Sequence, residues 1–257
     1  MKYLLKYLFL FLRDVLNFFF RFSERSILCY HGIDGEKLLT SVAPKDFENH
    51  ICYLQSKNYS FITLLEILSY IKGEITLPKK AVALTFDDGY RSVYENALPI
   101  LLKYKIPATV FVVENPDTKR LGNNAPTLFE SEISVMKKTG LITFGNHSKT
   151  HQMLDTLSGE DLRAEIGTGT SFAYPGGHYS LGAIKAVQEA GYEVAFSIRP
   201  GIVRKGDNPF LIKRNVITND MSLFMILFHA SIAADWYYGT ARYIKHLIQL
   251  FYKKNKT

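Results

Sequence analysis

Hydrophobic positions along this chain come in two alternating textures. Short apolar runs, "SILCYHG", "AVALTF", "PATVFVV", "LITFG", "TSFAYPGG", "YEVAFSI" and "LIKRNVI", predict strands. Between them lie longer stretches with apolar residues at helical spacing. These are "PKDFENHICYLQSKNY", opening at Pro44 with Asp46 in its first turn, "FITLLEILSYIKG", closed by Gly73, "RSVYENALPILLKYK", "LFESEISVMKKTG", ending at Gly140, and "LGAIKAVQEAG". A last amphipathic helix is predicted in "MSLFMILFHA", capped by Asn219 or Asp220. Alternation of strand and helix predicts a parallel sheet with helices packed on it. No repeat or low-complexity linker divides the units, so one domain on a barrel-like sheet is expected, with its chemistry at the C-terminal strand ends.

The first 26 residues have a different pattern. At 100° per residue Lys2, Lys6, Arg13, Asp14, Asn17 and Arg21 share one arc. Leu4, Leu8, Phe11, Leu12, Val15, Leu16, Phe18 and Phe19 fill the rest. Arg13 and Asp14 interrupt the run too early for a membrane-spanning helix, and no small-residue cleavage site follows it. The reading is an amphipathic helix over residues 1–26 in a membrane interface, rings in the acyl boundary and cations toward anionic headgroups, on the cytoplasmic face. A helix packed on the domain and an uncleaved signal anchor are the alternatives. The globular domain then covers residues 27–230. Residues 231–257 form a basic amphipathic segment with Arg242, Lys245, Gln249 and Lys253 along one stripe, suited equally to membrane contact or to a solvated terminal helix.

Composition refines this picture in two places. The chain has 257 residues, 47% of them hydrophobic, enough for one sizeable core, and its only cysteines, Cys29 and Cys52, predict free thiols rather than a disulfide framework. Its net charge is +7, but the cations lie beside apolar faces instead of lining an aromatic-interleaved groove, so nucleic-acid binding is not expected. No glycine-rich phosphate loop follows a strand, so no nucleotide cofactor is expected either.

Four strand ends carry candidate chemistry: "YHG" with His31, "DDG" with Asp87 and Asp88, "NHSKTH" with His147 and His151, and "YPGG". Histidines four apart can share a cation, and with a carboxylate from another strand end they make a facial ligand set that leaves positions open for water and substrate. Adjacent aspartates on a strand point opposite ways unless the backbone turns, which Gly89 permits. One carboxylate can then ligate the ion while the other serves as general base. Taken alone, "DDG" is a surface turn.

"TFDDGY" with "HSKTH" resembles the first two motifs of the polysaccharide deacetylases, the carbohydrate esterase group with NodB homology, over residues 27–217. The resemblance implies a distorted, incomplete (β/α) barrel of the NodB deacetylase type. It also implies Asp88, His147 and His151 as metal ligands, Asp87 as catalytic base, and one divalent metal, zinc or another. Placement of "LCYHGI" before the Asp–Asp motif is similar to the circularly permuted poly-N-acetylglucosamine deacetylases, which makes His31 the general acid. His229 in "LFH" stands where other members carry a late histidine, but helical spacing with Ser222 and Met225 makes it a surface or packed residue.

"FAYPGG" resembles a third motif, with Tyr174, Pro175 and Gly176 as oxyanion or substrate-binding candidates. Gly176 replaces a tyrosine whose backbone N–H would hold the oxyanion, and Ala173 replaces the arginine that orients the base. Arg214 in "LIKRNVI" is the candidate substitute. The implied activity is metal-dependent de-N-acetylation of an amino sugar in a polysaccharide or lipid-linked glycan. Deformylation of a lipid-linked amino sugar and an inactive membrane-bound adaptor are the alternatives.

Overall fold

The computed structural model describes residues 2–20, 23–36, 38–116, 121 and 125–241. In chain order its elements are α1 (Lys2–Phe20), β1 (Glu24–Tyr30), α2 (Pro44–Ser56), β2 (Ser60–Phe61), α3 (Leu64–Lys72), β3 (Lys80–Phe86), α4 (Leu98–Tyr104) and β4 (Ala108–Val112). There follow α5 (Glu130–Lys138), β5 (Ile142–Asn146), α6 (Gly159–Ile166), β6 (Ser171–Ala173), α7 (Leu181–Glu189), β7 (Val194–Phe196), β8 (Asn215–Val216) and α8 (Leu223–Ala230). The predicted basic stripe of Arg242, Lys245, Gln249 and Lys253 lies outside the described residues.

The strands form one eight-stranded parallel sheet in the order β7-β6-β5-β4-β3-β1-β8, with β2 beside the first half of β3. The "LIKRNVI" run is a strand only over Asn215–Val216, where it pairs with β1, and Ile212 just before it is bridged to Phe196 of β7. Residues 212–216 thus join the two sheet edges by a thin seam. This is the distorted, incomplete (β/α) barrel expected, with one side reduced to a few residues.

Period-2 alternation sorts the barrel wall into two faces. Leu28, Tyr30, Val82, Leu84, Phe86 and Val110 cluster with α2, α4 and α8 on the outside. Ile27, Ala81, Ala83, Phe111, Ala173, Phe196 and Ile212 cluster inside, where α3 adds Ile67, Leu68 and Ile71. Each of the larger side chains removed from water, the leucines, isoleucines, valines and phenylalanines, contributes about 1.5–3 kcal/mol, so the wall sequence itself selects which way each strand faces. Local chemistry then sets the element ends. A capping box of Thr63 and Glu66 starts α3 and left-handed Gly73 ends it.

Two helices depart from expectation. The stretch before α4 is a π-turn over Val93–Ala97, in which the Leu98 N–H reaches back to the Val93 carbonyl. Pro99 follows directly and has no N–H with which to continue a regular helical ladder. α8 is capped by Ser222, whose Oγ accepts from the Met225 N–H, rather than by Asn219 or Asp220. The Asp220 carboxylate is occupied by the Thr218 hydroxyl at 2.6 Å. His229 is buried among Phe228 and Tyr238, a packed residue.

α1 lies against the domain with the opposite orientation to the one expected. Lys6 and Arg13 are buried, 6% and 3% exposed, and Leu4, Leu8 and Phe11 face outward. Lys6 Nζ sits 5.5–5.8 Å from the ring centroids of Phe228, Tyr237 and Tyr238. Arg13 reaches Asp14 at 2.6 Å and buried Glu24 at 3.4 Å, while Tyr59 donates to the other Glu24 oxygen at 2.6 Å. The polar arc therefore attaches the helix to the domain, because β1 and α8 supply partners for its cations.

Candidate active site

The site is assembled at the C-terminal ends of β1, β3, β5 and β6, with Arg214 contributed from the residue just before β8. Thr85 and Asp87 continue the inward column of β3, and Cys29 continues that of β1, with Cys29 in register with Thr85. Beyond Phe86 the backbone breaks from the strand: Asp88 and Gly89 both take left-handed conformations, φ 71° and 66°. For a non-glycine residue that conformation costs energy, and such outliers gather at functional sites. The turn separates the two carboxylates, so that Asp87 faces the barrel interior and Asp88 faces the end of β5.

There Asp88 Oδ1 lies 3.4 Å from His147 Nε2 and 3.3 Å from His151 Nε2. The His147 N–H donates to the Val112 carbonyl, which fixes the ring's root, and its Nδ1 is 2.7 Å from the Ala173 carbonyl. A carbonyl only accepts, so Nδ1 carries the proton and Nε2 turns its lone pair toward Asp88. His151 follows a loop with two more left-handed residues, Ser148 (φ 66°) and His151 itself (φ 60°). That loop is held from below: the Thr150 N–H and hydroxyl donate to the two Glu165 oxygens at 2.9 and 2.7 Å, and the His151 N–H to Ser148 Oγ at 2.9 Å.

Three acceptors thus converge, with ligand atoms within 4.8 Å of one another. Asp88 Oδ1 is buried and has no hydrogen-bond partner. A buried, unsatisfied carboxylate oxygen facing imidazole lone pairs is costly unless a cation sits among them, so the donor set fits a divalent metal.

Asp87 has different partners. Arg214 Nη1 donates to Asp87 Oδ1 at 2.6 Å and Nη2 to Oδ2 at 2.7 Å. The guanidinium also donates to Ser197 O and Thr85 Oγ1, and it lies over the rings of Phe111 and Phe196, 5.3 and 5.9 Å from their centroids. A buried ion pair is tolerated only when its donors are satisfied, and this fork is. Burial raises the Asp87 carboxyl while Arg214 and His147 lower it more, to about 2.

His31 is half-buried at the end of β1, and its Nδ1 has no partner among the described residues. Its ring nitrogen lies with Cys29 Sγ and an Asp87 oxygen in a cluster no wider than 4.8 Å. The "YPGG" turn follows β6, with Gly176 exposed at φ 57°. Tyr174 is buried, its hydroxyl donating to the Phe210 carbonyl at 3.2 Å, and Pro175 is buried beside it. The Tyr174 side chain therefore packs the turn and does not face the barrel mouth, which leaves Gly176 as the part of the motif open to a ligand.

Sequence reasoning passed over one neighbour of this site. Cys29, read only as a buried thiol, donates to Asp87 Oδ2 at 3.4 Å, and burial keeps it protonated by pushing its pKa up. The signal was present: Cys29 is two residues before His31, the spacing that puts side chains on one side of an extended chain.

A model of the polysaccharide deacetylase family matches residues 74–195. The poly-beta-1,6-N-acetyl-D-glucosamine N-deacetylase of Staphylococcus aureus is 30% identical over an alignment of 200 positions that covers 70% of this chain and 69% of that protein. The chain belongs to the polysaccharide deacetylase family. Membership makes it a hydrolase of amide bonds. Among solved structures, IcaB from Ammonifex degensii shares the fold with a TM-score of 0.70 at 24% identity, covering 81% of this chain and 98% of that one. The Streptococcus pyogenes deacetylase PplD in complex with acetate has a TM-score of 0.70 at 24% identity, covering 80% and 98%. Both likenesses span nearly the whole of those chains, so the barrel is the fold these structures share.

Proposed function

We propose that this protein hydrolyses the N-acetyl group of N-acetylglucosamine units in a poly-β-1,6-linked glycan, giving acetate and a free amine, with zinc held by Asp88, His147 and His151. The observation that carries the reading is the buried, unpartnered Asp88 Oδ1 between two imidazole Nε2 atoms, beside a second carboxylate clamped by Arg214. Two imidazoles and one carboxylate suit zinc and leave coordination positions free. When bound, the ion supplies Lewis acidity, which eases ionisation of a water and polarises the amide carbonyl.

The remaining steps belong to the chain. Asp87, ionised and held by Arg214, accepts the proton of the attacking water. His31, half-buried with a ring nitrogen within 4.8 Å of an Asp87 oxygen, delivers a proton to the leaving nitrogen. The Gly176 N–H lies in the turn that also supports His147 through Ala173, and it donates to the carbonyl oxygen as negative charge develops there. The Staphylococcus aureus relative, by its name a poly-beta-1,6-N-acetyl-D-glucosamine N-deacetylase, supports the choice of glycan.

The test offers zinc-loaded protein poly-β-1,6-N-acetylglucosamine and, separately, a polyprenyl-linked N-acetyl sugar, scoring free amine, acetate and formate. Amine and acetate from the polymer are expected. Turnover of the lipid-linked sugar alone would replace the polymer by a membrane-borne substrate, and formate from an N-formyl analogue at a higher rate would replace the acyl group.

A further inference from the structure

α1 solves an unusual packing problem in an unusual way. Turning a helix with one polar arc so that the arc faces water costs nothing. Here the arc is turned inward, and dedicated partners receive it: an aromatic cage of Phe228, Tyr237 and Tyr238 for Lys6, and the Glu24 carboxylate for Arg13. Each buried cation carries a desolvation penalty of several kcal/mol that these partners must offset. On the opposite side Leu4, Leu5, Leu8, Phe11, Leu12 and Val15 stand exposed, Leu4 at 73% and Phe11 at 64%. At 100° per residue the six fall within about 120° of arc, so they make one continuous ridge. A patch of this kind marks an interaction site rather than chance exposure.

The shape and charge of the surroundings select the occupant. The patch is a continuous apolar helix face, the form in which an amphipathic helix lies in a membrane interface. Next to α1 runs the helical stretch of residues 232–241, with Tyr237 edge-on to Phe9 at 5.7 Å. The chain that continues from it, residues 242–257, carries Arg242, Lys245, Lys253, Lys254 and Lys256 and no aspartate or glutamate. Cations near an anionic lipid surface contribute about 1 kcal/mol each. Among the described residues no helix is long and apolar enough to cross a membrane, so the mode is in-plane docking.

We infer that α1 docks this protein onto an anionic lipid bilayer through the ridge Leu4, Leu5, Leu8, Phe11, Leu12 and Val15, while its cations fasten the helix to the catalytic domain. The arrangement couples the two: the cations that would have met headgroups hold the domain instead, and the basic chain beyond residue 241 supplies the attraction to the surface. The inference does not depend on the reaction proposed above.

Flotation of the full chain with vesicles tests it. Wild-type protein is expected to float with phosphatidylglycerol-containing vesicles, to bind pure phosphatidylcholine at least tenfold more weakly, and to release from the anionic vesicles as salt is raised. Leu8→Gln/Phe11→Gln, both outward and away from the site, is expected to lose at least tenfold in vesicle binding with unchanged thermal midpoint and unchanged turnover of soluble substrate. Single Phe11→Gln serves the same reading should the double variant melt lower. Equal binding by wild type and variants, or no binding by wild type, overturns the proposal. So does a homodimer in sedimentation that the variants dissolve without any vesicle binding, since the ridge would then be a subunit interface.

Discussion

Arg214 donates to both carboxylate oxygens of Asp87, at 2.6 and 2.7 Å, from 127 residues further along the chain. Asp87 ends a long central strand and Arg214 stands in the thin seam that joins the barrel edges, so closing the barrel is what completes the pair. The arginine absent at Ala173 is replaced in space by one from a different strand.

Replacing Arg214 should therefore separate orientation of the base from metal binding. Arg214→Lys keeps a charge but loses the fork, and turnover is expected to fall at least tenfold. Arg214→Ala should cost about a hundredfold in kcat and 3–5 kcal/mol of stability, because a buried carboxylate is left unpaired. Zinc content should stay near one per chain in both. Steady-state kinetics with metal analysis checks this, and unchanged kcat in Arg214→Ala would remove Arg214 from the account.

Glu165 supports the metal site without touching an ion. Its carboxylate receives the Thr150 N–H and hydroxyl, one residue before His151. Glu165→Ala should loosen that loop and weaken zinc binding ten- to a hundredfold, the usual effect of losing an outer support. Competition with a chelator measures it. Unaltered affinity would mean that Ser148 alone positions His151.

Gly89 should tolerate no side chain. Its φ is 66°, and a Cβ there would lie 3.1 Å from Val112 Cγ1. Gly89→Ala is expected to cost about 1–3 kcal/mol, lowering the thermal midpoint by several degrees, and to reduce turnover by displacing Asp88. A midpoint equal to wild type would show that the turn relaxes.

Stability should fall in mild acid through a histidine remote from the catalytic residues. Burial pushes His50 down to about 4 against a weaker opposing effect of Asp46, with the Tyr30 hydroxyl 3.2 Å from its Nδ1. Between pH 6.5 and 4 the unfolded chain binds a proton at this residue that the folded chain does not. Stability therefore rises with pH across that window, and acidification from 6.5 to 4 removes up to about 3 kcal/mol. His50→Gln should reduce the pH dependence of the thermal midpoint over that interval, leaving the part due to buried His229, which burial also pushes down, to about 3. A slope identical to wild type would contradict it.

Much of this architecture was legible in the sequence because it rests on local signals. Short apolar runs marked the strands, glycines marked helix ends, and the "DDG" and "HSKTH" strand ends named the residues that meet at the barrel mouth. What was not legible depends on partners distant in sequence. The inward turn of Lys6 and Arg13 follows from Glu24 and from an aromatic cage built by residues 228–238, which a helical wheel does not contain. Tyr174 read as a site residue from its motif, yet the carbonyl of Phe210 takes its hydroxyl into the core. Cys29 read only as a free thiol because its place beside Asp87 comes from register with Thr85 across β1 and β3 rather than from its own neighbours.

The two adjacent aspartates carry the central claim, that one holds the metal and the other handles the proton. The direct measurement is zinc content and amine release from poly-β-1,6-N-acetylglucosamine for wild type, Asp87→Asn and Asp88→Asn, purified alike. The account predicts one zinc per chain in wild type and Asp87→Asn, zinc largely lost in Asp88→Asn, and amine release only from wild type. Zinc retained in full by Asp88→Asn, or amine release surviving in Asp87→Asn, would contradict it.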